Sequence, residues 1–99
     1  MYMDLNIPLK YQKDIEIAAK FLKNEGCQSV FLFGSMVTGK IHQNSDIDIG
    51  IKGLPPEKFF RVYAQLYDNM SNEVDLIDFD ESNSFYNLLD SLGEVIEIG

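Results

Sequence analysis

The sequence predicts an α+β fold: a small mixed β-sheet of three to four strands packed on helices. Three observations carry this reading. Apolar residues at helical spacing alternate along the chain with short β-branched and aromatic runs. The 99 residues suffice for one core, so a single domain, 1–99, is expected. The link between the first two strand-like runs, 34–45, has only twelve residues. A parallel crossover would need nearly all of them as helix, so the sheet is expected to be mixed.

The elements follow in order. Residues 1–7 read as irregular, with Pro8 in a first helical turn. Residues 9–25 read as a helix, because Tyr11, Ile15, Ala18 and Leu22 recur on one face with Ala19 alongside, and Gly26 is a stop. Ser29-Val30-Phe31-Leu32-Phe33 has the length and composition of a strand. Gly34-Ser35 opens a polar segment and Asn44-Ser45 signals a turn. Residues 46–51, D-I-D-I-G-I, alternate as a second strand. Gly53 and Pro55-Pro56 break the chain. Residues 57–70 read as a second long helix, with Phe59, Tyr63, Leu66 and Met70 on one side and Phe60, Val62 and Tyr67 widening it. Tyr63 and Tyr67 are expected at the edge of the core. A third strand spans 73–79. A short helix spans 84–92, with Phe85, Leu88, Leu89 and Leu92 as its apolar face and Gly93 as its stop. Residues 95–98 form a short edge strand.

Composition narrows the function classes. A hydrophobic content of 45% with 12% aromatics fits a folded globule. No apolar run has membrane-spanning length, and the N-terminus lacks a signal-peptide pattern. The single cysteine, Cys27, has no internal disulfide partner and reads as a partly buried small hydrophobe in a reducing cytoplasm. The net charge is −8, and all eight basic residues lie at or before Arg61. Residues 62–99 carry nine acids and no Lys or Arg. A surface of that kind does not hold a long nucleic acid by itself. It suits a small phosphorylated molecule held through metal ions, or a basic protein partner, as well as plain solubility.

The residues that ask for a chemical explanation lie in 34–48, G-S-M-V-T-G-K-I-H-Q-N-S-D-I-D. Side chains alternate along a strand, so Asp46 and Asp48 share one face, about 6.5–7 Å apart along the backbone. Ile47, Ile49 and Ile51 then point into the core. Two carboxylates at this range repel unless a cation or solvent compensates them. Two familiar loops fit the stretch poorly. Gly34 to Lys40 matches the phosphate loop G-x-x-x-x-G-K. Ile41, however, stands where a Ser or Thr should hold magnesium, and Asn44-Ser45 breaks the helix that should follow. An EF-hand starting at Asp46 would have Gly50 in place of a ligand and Ile51 in place of the turn glycine. His42, the only histidine, reads as a solvent-facing loop residue.

Gly34-Ser35, a spacer, S-D-I-D-I at 45–49 and V-D-L-I-D at 74–78 together resemble the minimal nucleotidyltransferases of the DNA polymerase β superfamily. The signature covers 33–78, and the order of helices and strands around it fits as well. The resemblance implies a polymerase β-like core that transfers a nucleoside monophosphate, AMP from ATP, to a hydroxyl acceptor. It implies two Mg²⁺ ions, with Mn²⁺ as a substitute, held by Asp46, Asp48 and Asp75. Asp75 could also take the nucleophile's proton; Asp78 and Asp80 are alternative third acids, and the resemblance selects Asp75. Gly34, Ser35, Lys40 and Ser45 are the nucleotide-binding candidates, although Ser45 also fits a simple turn cap. Two metal ions roughly 3.5–4 Å apart suit this chemistry, because one activates the nucleophile and the other holds the leaving oxygen. Thr38 stands where relatives often carry an arginine. The chain lacks the acceptor-binding domains of larger relatives, so the acceptor site is expected from a second copy or another protein. Small members resemble those paired with a helical HEPN-type partner, some of them toxin–antitoxin systems in which the transferase adenylylates the toxin. The alternative is a non-catalytic antitoxin acting by occupancy.

Overall fold

The computed structural model describes residues 6–99. The irregular start expected for 1–7 therefore lies largely outside the described residues, although Ile7 is buried in the core. The elements are α1 (Leu9–Asn24), β1 (Ser29–Phe33), α2 (Ser35–Thr38), β2 (Ile47–Lys52), α3 (Phe59–Asp68), β3 (Val74–Asp78), α4 (Asn83–Ser91) and β4 (Val95–Glu97). They form one four-stranded mixed sheet in the order β3-β2-β1-β4. β1 pairs antiparallel with both β2 and β4, while β2 and β3 run parallel. The short 34–45 link thus makes an antiparallel return, and α3 supplies the longer crossover that a parallel pair requires.

One face of the sheet carries the main core. Val30 and Leu32 of β1, Ile47, Ile49 and Ile51 of β2, and Val74 and Leu76 of β3 pack against Tyr11, Ile15, Ala18 and Leu22 of α1 and Val62 and Leu66 of α3. The helical face expected for α1 is the face that is buried. Pro8 stands one place earlier than expected. Its ψ of 145° keeps it outside the helix as the residue before the first turn. Asp14, on the same buried stripe, is 2% exposed. Its carboxylate accepts the Ser71 and Asn72 backbone N–H groups and the Asn72 side-chain amide at 2.8–2.9 Å. A buried charge of this kind is tolerated only when its oxygens are satisfied.

The other face is split in two. Phe31, Phe33 and Phe79 pack with Leu89 of α4, and Tyr86 closes over Phe31 and Phe79 with ring centroids 5.2–5.3 Å away. Gly50 lies flat under this cluster, where a Cβ would overlap the Phe79 ring. Beyond Gly50, towards the start of β2, this face carries Asp48, opposite Phe33 and only half-buried.

Several expected apolar faces are corrected. Phe60 is 83% exposed and Tyr67 46% exposed, so α3 buries a narrower stripe than its composition allows. On α4 only Leu89 is buried, while Phe85, Leu88 and Leu92 remain exposed. A short helix at the margin of a small sheet has contact on one side only, so its remaining apolar residues face outward.

Candidate active site

β2 begins at Ile47, one residue later than alternation predicts, so Asp46 precedes the strand and is exposed. Asp48 is within the strand and half-buried. In the parallel register Asp48 lies directly beside Asp75, at the interstrand spacing of about 4.8 Å. Both point to the uncovered face, because their neighbours Ile47, Ile49, Val74 and Leu76 all enter the core.

Asp78 and Asp80, the alternative third acids, are otherwise placed. Asp78 occupies the opposite strand parity from Asp75 and accepts the Asp80 N–H at 3.0 Å. Asp80 accepts the Gly53 N–H at 2.8 Å. Asp78 ends β3 and Asp80 lies in the turn just after it, both at the far end of the strand from Asp75.

Asp48 experiences its surroundings strongly. Burial, then the carboxylates of Asp75 and Asp46, push its pKa up from 3.8 to about 6.

The turn after β1 supplies a second wall. Gly34 has φ +72°, ψ −148°, a conformation costly for any residue with a Cβ. A Cβ there would overlap the Asp48 carboxylate. Gly34 is therefore required twice, by its backbone and by its neighbour. Its carbonyl accepts the Val37 and Thr38 N–H groups, which starts the one-turn helix α2 with Ser35 as its first residue. Gly39, left-handed at φ 82°, ends α2. That single turn leaves no room for the full helix of a phosphate loop.

The remaining predicted residues are more peripheral. Lys40 is exposed beyond Gly39. Ser45 is 7% exposed, and its Oγ accepts the His42 N–H at 2.8 Å, the turn-capping arrangement. Ser45 and Asp46 also line a polar cleft of about 360 Å³ beside the start of α1, which brings Lys10 to the acid end of the sheet. The linear order hides that lysine, because its approach depends on how α1 packs.

The structure also brings in Tyr63, which helical periodicity assigns to the core edge. Its hydroxyl donates towards both the Val74 carbonyl, at 3.2 Å, and Asp75 Oδ1, at 3.3 Å. Burial, the largest cause, raises the pKa of the phenol, and Asp75 adds to the effect.

Among the described residues, no three acid, imidazole or thiol groups are drawn together as a ready-made cation site. The donor set nonetheless fits a hard divalent ion. It is all carboxylate oxygen, displayed on neighbouring strands, and Asp48 carries a like-charge penalty that a dication offsets.

Comparison with known proteins bears on the family and the fold. Residues 15–96 match the family model for polymerase beta nucleotidyltransferases. No curated protein matches the chain in sequence. Among solved structures, the chain is similar to a toxin–antitoxin with AMP-PNP, at 27% identity and TM-score 0.62, over 86% of this chain and 69% of that one. It is also similar to a toxin–antitoxin MntA–HpeT mutant with two Asp-to-Glu changes, at 25% identity and TM-score 0.62, over 85% and 70% of the respective chains. A Tyr-to-Ala mutant of MntA–HpeT matches at 25% identity and TM-score 0.62, over 89% and 72%.

Proposed function

Because the chain belongs to the polymerase beta nucleotidyltransferase family, we propose that it transfers a nucleoside monophosphate, AMP from ATP, to a hydroxyl acceptor. The observation that carries this reading is Asp48 beside Asp75 on one uncovered sheet face, walled by Gly34. Asp46, Asp48 and Asp75 would hold two Mg²⁺ ions, or Mn²⁺ in their place. When bound, such ions supply positive charge to the attacking and leaving oxygens.

The chain's own residues do the rest. Gly34 lets a phosphate oxygen approach the backbone closely, and Ser35 offers its hydroxyl and amide. Lys40 and Ser45 complete the nucleotide contacts. Asp75, on the edge strand, is the base that receives the proton of the acceptor hydroxyl.

The acceptor is carried by a partner protein, a small helical one of HEPN type, or by a second copy of the chain. The similarity to toxin–antitoxin structures supports a partner. So does the exposed apolar row Phe85, Leu88 and Leu92 on α4, set in a segment with nine acids and no base. In this reading residues 1–99 act as one domain in the cytoplasm, where buried Cys27 stays a free thiol. No helix among the described residues is long and apolar enough to cross a membrane. Thr38, where an arginine is usual, is what favours the second reading, an antitoxin working by occupancy.

Labelled ATP, Mg²⁺ and lysate of the source cell test the reading. A labelled protein band that is lost with Asp48→Asn supports transfer. Co-purification of a partner that never takes label would favour occupancy.

A further inference from the structure

Tyr63 belongs to α3, which packs on the core face of the sheet, yet its hydroxyl rounds the β3 edge to the acid face. The ring stacks edge-on against Phe59 with centroids 5.8 Å apart, so the hydroxyl is held rather than swept through solvent. Its single proton is shared between the Val74 carbonyl and Asp75 Oδ1, both at the long end of the hydrogen-bond range. A transferase needs an acceptor hydroxyl within hydrogen-bond reach of its base. The chain meets that requirement with a residue of its own.

We propose that Tyr63 is an acceptor of the chain's own reaction, becoming a tyrosyl ester of a nucleoside monophosphate. This rests on the transferase function proposed above. The Tyr63 phenolic oxygen forms a bond to the α-phosphorus of ATP while the bond from that phosphorus to the bridging oxygen breaks. Pyrophosphate leaves with the electron pair, and the phenolic proton passes to the Asp75 carboxylate. Self-modification thereby fills the position that an outside acceptor must take, and the two reactions compete. Tyr67, one helical turn on, is an internal comparison. Its hydroxyl is tied to both Glu73 oxygens at 2.8–2.9 Å rather than to Asp75.

The full chain is incubated with ATP and Mg²⁺ and its intact mass is measured. The expected result is an adduct of one nucleoside monophosphate, mapping to the peptide that contains Tyr63. The adduct should be lost in Tyr63→Phe and in Asp48→Asn and kept in Tyr67→Phe. Phenylalanine preserves the ring against Phe59, and a melting curve confirms that the variant is folded. Label on a lysate protein with none on Tyr63 overturns this inference and leaves the transferase function standing. No label on any acceptor removes both. An adduct that persists in Asp48→Asn is chemical rather than catalysed and overturns the inference.

Discussion

Gly34 and Asp48 are fitted against each other: the carboxylate occupies the space that any side chain at position 34 would need. The glycine's φ of +72° adds a backbone penalty for every other residue. Gly34→Ala should therefore destabilise the fold by about 1–3 kcal/mol, since both terms act together. It should also cut transfer beyond what lost stability explains, because Asp48 has to move. Urea unfolding alongside the labelled-ATP assay checks this. Wild-type values in both would show that the contact is unimportant.

Asp48 makes stability depend on pH in a defined direction. Its folded pKa of about 6 exceeds the ordinary 3.8, so the folded state binds the proton more tightly. Its favourable contribution is complete below about pH 3.8 and is lost as pH rises through about 6. Asp48→Asn, neutral throughout, should melt higher than wild type at pH 7 in chelator. The two curves should converge towards pH 4. A constant gap across that range would mean that ionisation is not the cause.

Nucleotide binding should require the divalent ion. ATP with Mg²⁺ or Mn²⁺ should raise the melting temperature, because a ligand of the folded state stabilises it by mass action. Chelator should remove the shift, and Asp46→Asn and Asp75→Asn should weaken it. An equal shift in chelator contradicts metal-mediated binding.

Asp14 pins the loop that leads into β3. Asp14→Ala removes three hydrogen bonds to a buried carboxylate and leaves the Ser71 and Asn72 amides without their partner. A loss of about 2–4 kcal/mol is expected, with part of the activity, since that loop sets the start of the strand bearing Asp75. Denaturant midpoints measure it, and a change under about 0.5 kcal/mol, the usual surface range, would show that the carboxylate is dispensable.

These residues differ in how legible they are. Asp48 is readable because an acid in the middle of an alternating strand has few structural explanations, and alternation also places Ile47, Ile49 and Ile51 in the core. The mixed sheet follows from a short link that permits only a return strand. Asp14 is not readable. A charged residue in a helical pattern predicts solvent, and its partners lie 57 and 58 positions away. Tyr63 is half readable: periodicity places its ring, but not the reach of its hydroxyl around a sheet edge. The exposed Phe60, Phe85 and Leu88 mislead for a simpler reason. Composition marks a face as apolar without stating whether anything in the chain covers it.

The aromatic cluster over Gly50 also shapes what the neighbouring acids project. Phe31, Phe33 and Phe79 form a hydrocarbon bank along one side of Asp48. Hydrocarbon polarises far less than water, so the field of the carboxylates does not spread into that side and is concentrated through the open one. Such a field would favour small cations on the open side of Asp48. Free polyanions are turned away over a Debye length, about 8 Å at physiological ionic strength. The aromatic cluster would thus act on the acids as a lens, so that what reaches Asp48 is selected by sign as well as by shape.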